Sequence, residues 1–296
     1  MSDSEEIDLY GLESLLYNDL TTPDSPTEKD FYETWFKMNL NLLPPIGMAI
    51  RGALIADRPA WVFASGYQAT LNNAFPFICR NGWAAFAATE DASDPKTHPG
   101  TTLEGTDNNI VLQGHKSWVG HSKLVSQLLI TVNHPSGDKT KVKGVAVGRN
   151  DFGVSLTHRQ KAKFLRAMSQ GFAHFEQTPV NPEKIFPFEP IRQFGRTEAK
   201  FVMLACAVFM AKESETVRRD RLISVAAAIC SLIRESTTSR QTYGAIDREY
   251  QACVKEFLAD YNPNTIPFWE VDKRLFTMYT ERIQRRADYA RNESST

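Results

Sequence analysis

The sequence predicts an α+β fold in which a run of β-strands lies between two helical regions. Apolar residues recur with helical spacing towards both ends of the chain, whereas short runs rich in Val, Ile, Leu and Thr, separated by turn residues, fill the middle. These two patterns divide the chain into an N-terminal helical domain at 1–80, a middle antiparallel β domain at 81–187 and a C-terminal helical bundle at 188–296.

The composition is that of an ordinary globular chain of 296 residues, 42% hydrophobic and 23% charged. Its 34 basic and 35 acidic residues nearly cancel, so no overall positive field favours nucleic acid or an anionic membrane surface. No apolar run reaches about 18 residues, and no membrane insertion is therefore expected. The stretch MSDSEEIDLYG is acidic where a signal peptide is basic and then apolar, which predicts a cytoplasmic protein.

The cysteines and histidines indicate neither a disulfide framework nor a metal centre. Four cysteines, at positions 79, 206, 230 and 253, show no CxxC pairing, and we expect buried thiols in a reducing compartment. Six histidines are scattered without the spacing of metal ligands, so no metal site is predicted.

Helical patterns occupy the N-terminal region. Thr27 stands three residues before Asp30, as in a capping box, and apolar residues follow at Phe31, Trp35 and Met38, which predicts one amphipathic helix. The next stretch, PPIGMAIRGALIADRPAWVFASGYQATLNNAF, is apolar on all sides and interrupted by a proline at position 59. It predicts two helices packed in the interior.

The middle region contains four strand-like runs, NIVLQGHKSWVG, SQLLITVN, KVKGVAVGR and GVSLTH. A turn is expected at NHPSGDKT, between the second and the third run. Because the runs follow one another closely without a helical pattern between them, they predict an antiparallel β domain that ends near Phe186.

Helical periodicity returns after the stretch FPFEPIRQFGR. One apolar stripe lies within 201–209 and a second within 222–233. A third helix is expected at Ile246–Ala259, and a fourth from Trp269 to the basic stretch ERIQRRADYARN. Four helices of this length predict a bundle.

Two motifs in the middle region point to a known family. The stretch FAATEDASD joins an apolar run to a Thr-Glu pair and a Ser-Asp pair, and GHKSWVG follows it in the chain. In this order the motifs resemble those of the acyl-CoA dehydrogenase superfamily, whose members also have helical, β and helical domains in succession. The matched residues are Phe86, Thr89, Glu90, Ser93 and Asp94 in the first motif and Gly114, Lys116, Trp118, Val119 and Gly120 in the second.

The resemblance implies that FAD binds at the ends of the strands. Reduced flavin gathers negative charge at N1 and the C2 carbonyl, and Thr89 is the implied hydrogen-bond donor there. Trp118 offers a flat apolar surface to the ring, Ser93 can present its hydroxyl to a phosphate or to the thioester region, and Phe86 is the motif's aromatic residue. Taken singly, the same residue types also form turns and pack cores.

The sequence departs from the family pattern at four places. The C-terminal helical bundle is shorter than that of the family and lacks the glycine-rich motifs that contact the cofactor of the partner subunit. The turn between Glu90 and Ser93 is shorter than usual. Gly120 stands where the family carries Thr or Ser beside flavin N5, so only a backbone N–H remains there. The stretch RQFGR, which begins at Arg192, is similar to a family motif whose arginine meets the FAD pyrophosphate across a dimer, yet it comes one helix too early. Either a helix is missing or this match is a coincidence.

The sequence does not assign a catalytic base. Dehydrogenation of a thioester needs a carboxylate within reach of the α-proton, which the family supplies from its C-terminal region, often in a Glu-Gly-Thr loop. The Glu-Gly-Thr that begins at Glu104 lies in the β domain, and we interpret it as a turn. Candidates in the helical region are Glu198, Glu213 and Glu235, each of which also suits an exposed helix face.

The leading hypothesis is an FAD-dependent oxidoreductase of fatty acid metabolism that α,β-dehydrogenates an acyl-CoA or a similar thioester. One alternative is a non-catalytic relative that has lost the base, with or without FAD, and binds an acyl ligand or a protein partner. Another is a flavin-dependent monooxygenase on the same scaffold, which needs no carboxylate base. Because the family assembles through its helical bundle, the resemblance also implies a homodimer.

Overall fold

A computed structural model describes residues 11, 14, 22–76, 78–105, 109–133, 141–235, 239–261, 263 and 266–293. The acidic amino terminus, the turn expected at NHPSGDKT and the threonine of the Glu-Gly-Thr tripeptide lie outside these residues, except for a single residue at one end of each of the first two stretches.

The order of helices and strands follows the prediction, and the α+β fold class is confirmed. Helices of the described residues are α1 (Glu28–Lys37), α2 (Pro45–Ile55), α3 (Pro59–Ala74), α4 (Phe188–Lys212), α5 (Thr216–Arg234), α6 (Arg240–Asp260), α7 (Trp269–Asp272) and α8 (Thr280–Glu293). Strands are β1 (Ala84–Ala87), β2 (Thr102–Glu104), β3 (Val111–Gly120), β4 (Gln127–Val132), β5 (Lys143–Gly148), β6 (Val154–His158), β7 (Gln170–Pro179) and β8 (Ile185–Phe186).

The chain divides into two compact units. One unit combines both ends of the chain, Met1–Ala69 and Thr197–Thr296, and the other comprises Thr70–Arg196, which contains all the strands named above. The three domain boundaries inferred from the sequence stay a prediction.

The strand-containing unit holds two four-stranded sheets, in the orders β1-β4-β5-β8 and β2-β3-β7-β6. The pairings are antiparallel except that of β1 with β4, which is parallel with Ala84 beside Gln127. A parallel pair needs a crossover connection, and here the connection passes through β2 and β3 of the other sheet. The prediction of a purely antiparallel domain is therefore corrected at this one pair.

The inner faces of the two sheets share one apolar core. Leu112 and Val119 of β3, Leu128 of β4, Val145 of β5 and Phe175 of β7 are all buried in it. Along β3, buried positions alternate with partly exposed ones, as expected for a strand with one face on the core. This alternation turns the other residues of β3 and β7 towards the outer face of their sheet.

The start of the helical unit confirms the predicted capping box. The Thr27 hydroxyl accepts a hydrogen bond from the Asp30 amide at 3.2 Å, and the Asp30 carboxylate accepts one from the Thr27 amide at 3.0 Å. Phe31 and Trp35 are buried, and the Phe31 ring stacks on Trp61 of α3 with 5.3 Å between centroids. These contacts pack α1 against the interior helices α2 and α3. As predicted, a new helix begins at Pro59, so α2 and α3 are separate.

The C-terminal helices confirm three of the four predictions. The apolar stripes of α4 and α5 are buried, and α6 spans the expected third helix. The fourth helix is wrong in extent, because a 3₁₀ segment at Lys273–Thr277 separates α7 from α8. That break buries Phe276 against Phe209 and Phe257, at centroid distances of 6.1 and 6.0 Å. Tertiary packing therefore overrides the helical spacing at this point.

All four cysteines are buried free thiols, as predicted. Burial raises the pKa of Cys79 and of Cys206 to about 12, so neither is a thiolate at neutral pH. Among the described residues, no helix has both the length and the apolar character needed to cross a membrane.

Candidate functional site

Five residues meet at the end of β3 and are here named the strand-end wall: Thr89, Ser117, Trp118, Gly120 and Gln170. The Thr89 carbonyl accepts hydrogen bonds from the Ser117 amide at 2.8 Å and from the Ser117 hydroxyl at 3.2 Å. These bonds hold the exit of β1 against β3. Thr89 is itself exposed, so the residue that the sequence marks as a donor is accessible to a ligand.

Trp118 is only partly buried, and its indole is held in one orientation. Nε1 donates to Gln170 Oε1 at 3.2 Å, and Gln170 Nε2 donates in turn to the Phe164 carbonyl at 2.5 Å. The pairing of β3 with β7 shifts register between Lys116 and Val119, and a shift of this kind re-aims the side chain within it. The result is a rigid aromatic surface at the end of the strand.

Gly120 explains why this chain departs from the Thr or Ser expected at that position. A Cβ atom built on Gly120 would lie 3.1 Å from Cη2 and 3.3 Å from Cζ2 of Trp118. The indole therefore occupies the space that a larger residue would need. The indole of Trp118 can take this position because residue 120 has no side chain.

The other sequence-predicted cofactor residues have local partners. The Ser93 amide donates to Asp91 Oδ1 at 3.0 Å, which closes an Asx turn, and the Ser93 hydroxyl donates to the same oxygen at 2.6 Å. The Phe86 ring stacks on Phe194 with 4.2 Å between centroids, and the exposed Arg192 pairs with Glu189. The structure thus brings Thr89, Trp118 and Gly120 together in the wall but not Phe86, Ser93 and Arg192, and the cofactor roles of all six stay predictions.

An ion pair between Lys116 and Glu90 connects the two segments that carry the strand-end wall. Lys116 is fully buried, and its Nζ lies 2.7 Å from Glu90 Oε1. Burial alone would raise the pKa of Glu90, but the hydrogen bond and the charge of Lys116 outweigh it and leave that pKa lowered. Burial lowers the pKa of Lys116, which Glu90 partly offsets. Glu90 of the first motif and Lys116 of the second therefore form an ion pair that stabilises the structure.

The three candidate bases belong to the helical ends of the chain and differ in environment. Burial raises the pKa of Glu198, while Arg282 and the Tyr279 hydroxyl act in the opposite direction. The Glu213 carboxylate lies 3.1 Å from Lys212 Nζ. Glu235 is exposed and ends α5. Glu198 is thus the candidate whose carboxylate lies in a partly buried environment.

Three histidines meet on the outer face of the second sheet, where the scattered sequence positions gave no sign of a cluster. The ring centroids of His115 and His174 are 4.2 Å apart, and those of His98 and His115 are 5.2 Å apart. Within the part of the chain that the structure describes, no group of three or more His, Cys, Asp or Glu side chains is arranged to hold a metal ion.

Sequence reasoning missed two members of the wall. Ser117 lies inside the second motif, but its bonds to Thr89 depend on the packing of β3 against the exit of β1. Gln170 is paired with Gly120 in the ladder between β3 and β7. No motif marks it, because only the register of two strands far apart in sequence places its amide beside the indole.

No protein-family model matches the sequence. No curated protein matches it either. Solved structures do match, over nearly the whole chain. Prolyl acyl carrier protein oxidase AnaB is 13% identical, with 97% of this chain and 94% of that chain covered and a TM-score of 0.65.

Two further structures extend the comparison. An FAD-dependent dehydrogenase is 13% identical, with 99% of this chain and 100% of that chain covered and a TM-score of 0.67. Butyryl-CoA dehydrogenase from Megasphaera elsdenii is 9% identical, with 98% of this chain and 99% of that chain covered and a TM-score of 0.62. At such identities the likeness concerns the fold. The chain has the fold of the acyl-CoA dehydrogenase-like flavoproteins.

Proposed function

We propose that the protein binds FAD at the strand-end wall and oxidises an acyl group held as a thioester. The observation that carries the proposal is the partly exposed Trp118 indole, which Gln170 holds in one orientation beside Gly120. A flavin ring needs a flat apolar surface, and a surface that is already rigid loses little freedom on binding. The fold adds support, because an FAD-dependent dehydrogenase shares it over 99% of this chain.

The wall offers complementary groups to this cofactor. Trp118 stacks on the ring system, the exposed Thr89 donates a hydrogen bond to its polar edge, and Gly120 leaves room for the Trp118 indole in this position. When bound, FAD supplies the hydride acceptor for α,β-dehydrogenation. The residues of the wall bind and orient, so the removal of the α-proton requires a separate carboxylate.

Glu198 is the best supported candidate for that carboxylate. A general base is most effective when its pKa lies near the working pH, and burial raises the pKa of Glu198 towards that range. In the proposed reaction a carboxylate takes the α-proton while a hydride leaves the β-carbon, and a double bond forms between the two carbons. Glu213 is instead paired with Lys212, and Glu235 is exposed at the end of its helix.

The carrier of the acyl group is proposed only as a thioester. Butyryl-CoA dehydrogenase is named for a CoA ester, whereas AnaB is named for a prolyl group on an acyl carrier protein. Both carriers present the same reacting group, a carbonyl that makes the α-proton acidic. A panel of substrates should therefore contain acyl-CoA and acyl carrier protein thioesters, including a prolyl thioester.

A visible spectrum tests the proposal directly. We expect the purified protein to be yellow, or to become yellow on addition of FAD, and to bleach when a thioester of the panel is added without oxygen. A colourless protein that gains no flavin absorbance contradicts the proposal. A colourless protein that still binds an acyl thioester is a non-catalytic relative, and flavin-dependent oxygen consumption without dehydrogenation indicates a monooxygenase.

The base is tested by two matched substitutions. Glu198→Gln removes the proton acceptor and keeps the shape, and we expect bleaching to slow by at least about 100-fold, the range of general base catalysis. Glu235→Gln, at an exposed helix end, is the control and should leave the rate unchanged. Equal rates for the wild type and Glu198→Gln, with flavin fully bound, would show that another group takes the proton.

The oligomeric state is proposed separately, from the resemblance to the family. We expect a homodimer, since the family that the sequence resembles assembles through its helical bundle. Light scattering after size exclusion should give twice the chain mass of 33.4 kDa. A mass equal to one chain, in a sample saturated with FAD, contradicts the dimer but leaves the flavin proposal standing.

A further inference from the structure

The outer face of the sheet β2-β3-β7-β6 carries a cleft of about 400 Å³ that the proposed flavin contacts do not explain. Two rows of side chains across three strands form its floor. In the first row, register pairs His115 with His174 and His174 with Ser155. In the second row, Phe172 is paired with Thr157. A loop that carries Asp91 and His98 also lines the cleft.

The imidazoles of the first row lack the partners that would fix them. Nδ1 of His115 and Nδ1 of His174 are buried and have no hydrogen-bond partner among the described residues. Buried polar atoms normally have one. A ligand in the cleft can therefore supply hydrogen-bond partners that these two imidazoles lack. The His174 side chain is already 41% exposed.

The charged groups around the cleft are already engaged. Asp91 Oδ1 accepts from the Ser93 amide at 3.0 Å and from the Ser93 hydroxyl at 2.6 Å. Lys116 is paired with Glu90, as described above. The imidazoles and hydroxyls that remain in the lining can each donate a hydrogen bond, and the Arg159 guanidinium at the edge of the cleft adds a positive charge. A ligand with several acceptor oxygens and a negative charge can use all of these groups.

Phe172 adds an apolar platform to this donor-rich surface. It is 40% exposed, which is unusual for a phenylalanine on a strand whose other face lies on the core. The guanidinium carbon of Arg159 lies 4.6 Å from the centroid of its ring. A planar or apolar group can therefore lie on Phe172, with a cationic side chain beside it.

We infer that this cleft binds a small organic phosphate monoester, whose phosphate contacts His115, His174 and Ser155 and whose organic part lies on Phe172. A phosphate group has three strong acceptor oxygens, which match three donors presented side by side by β3, β7 and β6. The volume of the cleft falls within the usual range of small-molecule sites, about 300–1,000 Å³. The inference does not rest on flavin binding by the strand-end wall.

Phenyl phosphate is a suitable probe, because it combines the phosphate with a ring, and phenol is its control ligand. In a titration followed by the imidazole proton resonances, phenyl phosphate should shift His115 and His174 at concentrations where phenol does not. Ser155→Ala and His174→Asn should each weaken binding by about tenfold or more, the usual effect of losing a hydrogen bond to a charged group. Phe172→Ser should weaken phenyl phosphate more than inorganic phosphate.

His158→Asn is the matched control, since His158 is an exposed histidine of β6 next to Thr157 and therefore on the other face of that strand. It should leave binding unchanged. Equal binding of phenol and phenyl phosphate, or undiminished binding by Ser155→Ala, overturns the inference. Ser155 is exposed, so this variant decides the question even if His174→Asn fails to fold. Flavin absorbance, measured on the same samples, reports separately on the proposed function.

Discussion

At the scale of single residues, Gly120 offers the sharpest test of the strand-end wall. In Gly120→Ser the new Cβ would lie 3.1 Å from Trp118, so the indole must move and its bond to Gln170 is strained or lost. We expect FAD to bind at least about tenfold more weakly, since a lost hydrogen bond and displaced stacking surface cost about 1.4 kcal/mol or more. An absorbance titration with FAD measures the change.

Gly195 provides the control for that substitution. It lies within α4, and apart from the neighbouring backbone of that helix no described atom comes within 4 Å of a Cβ built on it. Gly195→Ala should leave FAD affinity unchanged and stabilise the protein by roughly 0.5–1 kcal/mol, because alanine loses less backbone freedom in a helix. Equal FAD affinity in Gly120→Ser and Gly195→Ala would contradict the placement of the flavin on Trp118.

Glu198 should make the free energy of unfolding depend on pH, and the direction of its pKa shift sets the sign of that dependence. Burial raises its pKa above the ordinary value of 4.5, so the folded state disfavours the ionised carboxylate. Relative to Glu198→Gln, the wild type should lose stability as the pH rises from the ordinary value to the raised folded pKa, and no further above it. Urea unfolding of both proteins between about pH 4 and pH 8 measures the difference. A wild type that gains stability relative to Glu198→Gln as the pH rises would contradict this expectation.

At the scale of elements, the Lys116–Glu90 pair ties the exit of β1 to β3. Glu90 also accepts hydrogen bonds from the Thr101 amide at 3.2 Å and from Asn133 Nδ2 at 3.2 Å. One carboxylate thereby connects the loop after β1, the start of β2, strand β3 and the end of β4. The position of Thr89, directly before Glu90, depends on this connection.

Removing one partner of this pair should be costly. Glu90→Gln leaves the fully buried Lys116 ammonium without its carboxylate, and we expect a loss of roughly 3 kcal/mol in the free energy of unfolding. Glu90→Gln combined with Lys116→Met removes the buried charge and should recover part of that loss. Urea unfolding measures both variants.

The exposed pair Lys29–Glu33 on α1 is the control for the buried one. Its side chains are 72% and 62% exposed, so water screens the interaction. Glu33→Gln should change the free energy of unfolding by less than about 0.5 kcal/mol. A loss in Glu90→Gln no larger than that in Glu33→Gln would mean that the buried tie contributes little.

At the scale of the whole molecule, FAD should stabilise the folded protein by mass action. A ligand that binds only the native state adds about 2.7 kcal/mol when its free concentration is 100 times its Kd. We therefore expect the Tm to rise with FAD concentration in the wild type and to rise less in Gly120→Ser. A Tm that does not respond to FAD in either protein argues against the cofactor.

Much of the molecule could be predicted from the sequence. The order of helices and strands, the capping box of α1 and the burial of the cysteines follow from local spacing and composition, and each is present. The prediction was wrong where long-range contacts decide. The break between α7 and α8 follows from the burial of Phe276 against Phe209 and Phe257, and the parallel pairing of β1 with β4 follows from a crossover between sheets.

The sequence by itself determined the two motifs and the strands that carry them, because residue spacing along the chain suffices to specify such features. Only the tertiary structure decided that Trp118 is held by Gln170, 52 positions away, and that His115 and His174 share one face of a sheet. The physical reason is strand register: residues distant in the chain become neighbours only when β3, β7 and β6 pair, and that pairing is set by the packing of the whole core.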